Sequence, residues 1–192
     1  MNVRRTWPSL DRLVTVRLVL APIGPEDLDD VARVFADPEA TWDYPNGPWT
    51  RDECVALVGR MRAMQSDRGY SYFGARLREN GRFVGFTGLL DQRIAGRDEL
   101  EIGYRFAHEA WGRGYAVEAA RALRDTAFGT LPVDRIVSII RPDNARSRRV
   151  AERNGMVLEK MTRWEKLPGM DVCLYAIARD VWQRTRDLPE VP

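Results

Sequence analysis

Residues 111–120 read Trp-Gly-Arg-Gly-Tyr-Ala-Val-Glu-Ala-Ala. Two glycines one residue apart run straight into a helical pattern, with Ala116, Ala119, Ala120, Leu123 and Ala127 on one stripe. Glycine lets the backbone turn tightly and lets several N–H groups converge on one point. A helix N-terminus adds positive potential at the same point. The stretch suits a diphosphate, though a plain strand-to-helix turn uses glycine equally well. Val117 stands where a dinucleotide fingerprint needs its third glycine, and the Gly-Lys-Ser/Thr of a Walker A loop is absent.

Working outward, Glu99 to Phe106 alternates as a strand does. Leu100, Ile102, Tyr104 and Phe106 share one face; Glu99, Glu101, Gly103 and Arg105 share the other. Upstream lie a first strand from Arg12 to Leu20, a helix opened by Pro25 to Asp30, and a second helix behind the capping box Thr50 to Glu53, with Leu57, Val58, Met61 and Met64 on one face. Tyr70 to Leu77 and Phe83 to Leu90 form a hairpin through Asn80-Gly81. Downstream, Arg135 to Ile140 is a strand, Asn144 caps a helix that Gly155 ends, and Val157 to Trp164 and Val172 to Ala178 close the order. This predicts one domain over 1–192, of the α+β (mixed α/β) class. Its sheet is mixed and largely antiparallel, with a strand-helix-strand crossover in the second half.

Composition excludes several classes. Thirty basic against 28 acidic residues give a net +2, too little for a field that gathers nucleic acid or an anionic membrane. Lysine occurs only at 160 and 166; arginine supplies the rest of the basic charge. Cys54 and Cys173 have no ligand spacing and are expected to pack as small apolar residues, and a lone His108 cannot anchor a multi-histidine metal site, so no metal is expected. No apolar run reaches the ~18 residues of a membrane span. The first twelve residues hold three arginines (Arg4, Arg5 and Arg12) but no apolar h-region, so the expected location is cytoplasmic.

A second segment, Arg141-Pro142-Asp143-Asn144-Ala145-Arg146-Ser147-Arg148-Arg149, gathers cationic and polar donors at a strand end and helix start. Taken together, the two segments resemble the GCN5-related N-acetyltransferases (GNAT). The carriers are Gly-x-Gly-Tyr-Ala-x-Glu-Ala after a Glu-Ile-Gly-Tyr strand, then Asn-x-x-Ser-x-x-Val-x-Glu-x-x-Gly-Met some thirty residues on. The match is nearest the RimJ/RimL-like branch of ribosomal-protein N-terminal acetyltransferases. It also takes in Arg17-Leu-Val-Leu-Ala-Pro and Gly85-Phe-Thr-Gly.

The resemblance implies a sheet splayed at its centre and flanked by helices, and acetyl-CoA (coenzyme A) as cofactor. Trp111, Gly112, Arg113, Gly114, Tyr115, Ala116 and Val117 would hold the pyrophosphate. Pantetheine would lie in the V between the strand carrying Tyr104 and Phe106 and the strand ending at Ile140, with Asn144 bonding the arm. Ser147 would sit near the thioester sulfur, and Arg146, Arg148 or Arg149 would meet the 3′-phosphate. The tyrosine acid found in many members is Ala151 here, which leaves Ser147 as the candidate acid. Glu101 is the candidate base; it can equally be a structural partner of Arg105. Glu118 suits a helix start. Trp42, Tyr44 and Trp49, with Asp43 and Pro45 beside them, border the acceptor side, or else pack the loop. The implied activity is acetyl transfer to a primary amine, such as a protein N-terminus. The alternatives are an aminoglycoside- or polyamine-type acetyltransferase and a non-catalytic acyl-CoA-binding module. The expected partners are acetyl-CoA and the amine, without nucleic acid or membrane, for a monomer or homodimer.

Overall fold

A computed structural model describes residues 8–44 and 46–186. The expected first strand is two. Leu13–Val14 (β1) and Leu18–Pro22 (β2) form a hairpin. The Leu18 N–H donates to the Thr15 hydroxyl at 3.0 Å, and the Thr15 N–H donates to the Leu18 carbonyl at 2.9 Å. Apolar and polar residues keep alternating through this turn, so periodicity cannot register it.

Pro25–Asp27 makes one 3-10 turn and leads into α1 (Leu28–Ala36). Helix α2 (Arg51–Arg68) starts at its capping box: the Thr50 N–H donates to the Glu53 carboxylate at 2.7 Å, and the Glu53 N–H donates to the Thr50 hydroxyl at 3.3 Å. Val58, Met61 and Cys54 are buried beneath it, packed with Phe35 of α1 on one face of the sheet.

Strands β3 (Tyr72–Leu77), β4 (Phe83–Ile94) and β5 (Arg97–Phe106) form an antiparallel meander. Strand β4 runs to Ile94 rather than stopping at Leu90. It turns through Ala95 and Gly96, both at positive φ (51° and 76°), the conformation that matches the twist of a two-residue hairpin. That register sets Leu90 opposite Glu101 and Gln92 opposite Glu99.

Helix α3 (Tyr115–Thr130) then covers the other face, burying Ala119, Ala120, Leu123 and Ala127. The chain continues through β6 (Arg135–Ile140), α4 (Ala145–Arg153), β7 (Val157–Arg163) and β8 (Asp171–Ala178). An unanticipated helix, α5 (Arg179–Arg186), follows and packs Trp182 on Phe128, ring centroids 5.1 Å apart. The eight strands make one sheet in the order β1-β2-β3-β4-β5-β6-β8-β7. Every neighbouring pair is antiparallel except β5–β6, which is parallel and bridged only at Glu101 and Val137. The sheet is therefore mixed, largely antiparallel and open at its centre, flanked by helices. Cys54 and Cys173 are both buried free thiols.

Candidate active site

The turn after β5 is built on two left-handed glycines: Gly112 at φ 74° and Gly114, the N-cap of α3, at φ 79°. Gly114 offers no side chain to cap the helix, and the Glu118 N–H is the one that reaches the Gly114 carbonyl, at 3.1 Å. The N–H groups of Tyr115, Ala116 and Val117 are left without a helical acceptor at the positive end of α3. Arg17, from the β1–β2 turn, ties this loop down. Its guanidinium donates to the Arg113 carbonyl at 2.8 Å and to the Glu118 carboxylate at 2.6 Å, and lies 4.7 Å from the Tyr115 ring centroid. Glu118 also accepts from the Thr15 hydroxyl (2.6 Å) and the Arg17 N–H (2.7 Å). Burial pushes its carboxyl up, but these bonds outweigh that and hold it below its ordinary value. Glu118 is thus a clamp between the hairpin and α3.

Beside this loop lies a cleft of about 300 Å³. Tyr104 and Phe106 of β5 line it, with Trp111, Gly112 and Gly114 of the loop, Tyr115, Ala116 and Val117 of α3, and Asn144 and Ser147 of α4. Trp111 donates from its indole to the Phe106 carbonyl at 2.9 Å, and Arg146 stacks over its ring at 4.0 Å. Arg149 and Arg153 also line the cleft, and none of these three arginines is in an ion pair among the described residues. Uncapped amides, unpaired cations and the open edge of β5 suit a ligand with phosphates at one end and amides along its length, so the residues present fit coenzyme A. Two expected contacts do not line this cleft. Arg113 engages Arg17 through its carbonyl, and Arg148 turns toward β8, donating to the Tyr175 hydroxyl (3.2 Å) and the Pro142 carbonyl (3.3 Å).

A second cavity, about 360 Å³, is lined by residues of β4, β5 and β6. It shares Asp43, Tyr104, Arg105, Asn144 and Ser147 with the first, so the two meet at those residues. Asn144 caps α4, accepting from the Ser147 N–H at 3.0 Å, and its amide faces Asp43 at 3.5 Å. The Tyr104 hydroxyl donates to the Ser147 carbonyl at 2.8 Å, and burial pushes that phenol up.

Glu101 lines this second cavity but is not paired with Arg105. Arg105 instead meets Asp43 at 3.0 Å, bonds the Ala40 carbonyl and lies over Tyr44 at 4.3 Å. Glu101 accepts from the Gln92 amide at 2.6 Å. Burial pushes its carboxyl up, opposed by Gln92, the Ile139 N–H and the charge of Lys166. Glu99, on the same strand face, is held by Arg135 at 3.1 Å and Arg97 at 3.6 Å and lines neither cavity.

Of the expected acceptor-side residues, Trp42 lines the first cavity and Tyr44 the second. Trp49 lines neither; it stacks on Phe35 with centroids 4.4 Å apart, as loop packing. Pro45 lies outside the described residues. Sequence reasoning did not single out Tyr72, Gln92, Trp164 and Lys166, which also line the second cavity. Tyr72 lies across Gly88, where a Cβ would sit 2.5 Å from its ring. Gln92 could have been found once Ala95-Gly96 was read as the hairpin turn, since that register sets it diagonal to Glu101.

Residues 17–157 match the model of the acetyltransferase (GNAT) domain family. The chain is 35% identical over 159 residues to YkkB of Bacillus subtilis (strain 168), covering 81% of this chain and 91% of that one. Its structure is similar to that of an acetyltransferase from Agrobacterium tumefaciens, at 29% identity and TM-score 0.75, covering 90% and 97% of the two chains. It shares the fold of RimL, a ribosomal L7/L12 α-N-protein acetyltransferase solved with coenzyme A, at 21% identity and TM-score 0.73, covering 88% and 98%.

Proposed function

This chain belongs to the GNAT acetyltransferase family, and on that premise we propose that it transfers an acetyl group from acetyl-CoA to a primary amine. The candidate acceptors are a protein N-terminus and a small amine. One observation carries the reading: the two cavities meet at Tyr104, Asn144 and Ser147, so a donor from one side and an amine from the other would come together there. We take the chain to work as a single domain in the cytoplasm, as a monomer or homodimer. Among the described residues no helix is long and apolar enough to cross a membrane.

Bound acetyl-CoA supplies an acyl group activated as a thioester, with a thiolate that leaves readily. The amides at the start of α3 bind the diphosphate, and Arg146, Arg149 and Arg153 bind the outer phosphate. The edge of β5 beyond Glu101 offers backbone groups to the amide-bearing arm by strand-like pairing. Glu101 takes the proton of the attacking amine, directly or through water; the raised value that burial gives it makes it a better base than an exposed carboxylate. Ser147 offers its hydroxyl to the sulfur side.

The test is thiol release from acetyl-CoA with peptides bearing free alanine and serine N-termini, spermidine and an aminoglycoside. Release with one of them, giving the acetylated amine by mass, is the expected result. Acetyl-CoA binding without release for any amine favours the non-catalytic module, a reading to which Ala151 lends weight. That residue is buried and brings no hydroxyl to the position of the family's tyrosine acid.

A further inference from the structure

The charges around the acceptor cavity cancel in pairs, with one carboxylate and one lysine left outside those pairs. Arg105 is matched by Asp43 at 3.0 Å. Arg141 is matched by Asp143 through two bonds, 3.0 and 2.7 Å, and lies over Trp42. The remaining charged groups are Glu101 and Lys166, at opposite ends of Gln92. Lys166 donates to Gln92 Oε1 at 2.6 Å, and Gln92 Nε2 donates to Glu101 Oε2 at 2.6 Å. Lys166 makes no ion pair with a carboxylate among the described residues, and it is one of only two lysines in an arginine-rich chain. Trp164, from the same segment between β7 and β8, lines the cavity too, and its indole N–H is buried without an acceptor.

Resting on the acetyl-transfer reading, we propose that the acceptor is an amine that also carries a carboxylate a short spacer away, an amino-acid-like zwitterion and not a polycation. Its amine faces Glu101 and its carboxylate faces Lys166. The two charged ends stand no more than about 8 Å apart, two hydrogen bonds and one amide group. An amine and a carboxylate on one carbon, with a hydrogen bond at each end, span a similar length. A polycation would set extra positive charge against Lys166, Arg141 and Arg105, where Asp43 and Asp143 are already engaged and Glu101 can answer one amine only.

The experiment compares apolar α-amino acids as free acids and as their amides, with spermidine and kanamycin, in the thiol-release assay. The expected KM is at least about 10-fold lower for the acids than for the amides. Lys166→Gln is expected to collapse that ratio to near one while the acetyl-CoA Kd stays within about twofold, and Lys166→Arg to keep most of it. Equal KM values for acid and amide, or a preference for the polycations, overturns the inference while acetyl transfer stands. If no amine releases thiol, acetyl transfer fails and the inference is read by calorimetry on coenzyme A-saturated protein. Binding of acids in preference to amides then supports it, and equal or absent binding overturns it.

Discussion

Arg17 and Glu118 lie 101 positions apart in the chain and meet at 2.6 Å. The same guanidinium holds the Arg113 carbonyl, so one exposed arginine couples the N-terminal hairpin to the glycine loop. Arg17→Ala should raise the Kd for coenzyme A about 10-fold, equivalent to ~1.4 kcal/mol, with the far-UV circular dichroism unchanged. Arg17→Lys should recover only part, because an ammonium lacks the planar fork that reaches both partners. Calorimetric titration of both variants decides this; a wild-type Kd for Arg17→Ala would show that the loop holds its shape unaided.

The partner carboxylate gives a pH signature. Glu118 sits below its ordinary value of 4.5 because its hydrogen bonds outweigh burial. A depressed carboxyl stabilises the fold fully above its unfolded value, and that contribution is lost as pH falls through the native value. Urea unfolding from about pH 7 to about pH 3 should show Glu118→Gln weaker than wild type at neutral pH and the two converging in acid. Parallel curves would mean that the clamp adds no stability.

Gly114→Asp tests the loop directly. Its φ of 79° disfavours any Cβ, although aspartate tolerates that region better than most residues, so the fold should persist. The new carboxylate would face the approach of a diphosphate, and the Kd for coenzyme A should rise about 100-fold or more, some ~2.7 kcal/mol. Thermal melts with excess acetyl-CoA should lose their ligand-induced shift. A retained shift would reduce the loop to a plain turn.

Glu101→Gln keeps the shape of the side chain and removes the base. Turnover near neutral pH should fall roughly 10²-fold or more, with little change in acetyl-CoA affinity. Because burial raises the Glu101 carboxyl, the wild-type acidic limb of kcat/KM should lie above the ordinary 4.5, activity rising with pH as the carboxylate forms. The deficit of the variant should narrow at high pH, where the amine is already neutral. Full turnover in the variant would move the proton to Glu165 or water, since Glu99 is bound to Arg135 away from both cavities.

Ser147→Ala should cost less than Glu101→Gln, because a thiolate departs readily without an acid. The Ser147 carbonyl and N–H, which hold Tyr104 and Asn144, are untouched by the change. A loss in kcat equal to that of Glu101→Gln would give the hydroxyl a proton-transfer role.

What the sequence disclosed was what local rules govern. The Thr50 to Glu53 box, the strand Arg135–Ile140 and the cap at Asn144 stand where capping chemistry and periodicity put them. The glycine loop was legible because glycine is the residue that takes positive φ without strain, and two stand one residue apart at a helix start. The split at Thr15 was not, since a turn that preserves alternation leaves no mark on the pattern. Glu101 was placed on the right strand face, with two readings left open, and of these the pairing with Arg105 does not hold. Glu101 and Arg105 share that face, but the choice between Asp43 and Glu101 as partner of Arg105 depends on a loop some sixty residues upstream. Lys166 and Trp164 reach the cavity from an irregular segment, where periodicity says nothing about direction.

The single bridge between β5 and β6 divides the sheet into two mechanical units. Strands β1 to β5 and strands β6 to β8 are joined there by the Glu101–Val137 pair and by the Ser138 hydroxyl bonded to the Ile102 carbonyl at 2.8 Å. Opening such a seam breaks fewer backbone bonds than opening the fully paired strands beside it, so its amides should exchange sooner than theirs. A ligand arm that pairs with the β5 edge and is gripped by α3 and α4 would act as a splint across the seam. Its binding would then register as slower exchange deep in the protein and as a sharper, more concerted unfolding of the whole sheet.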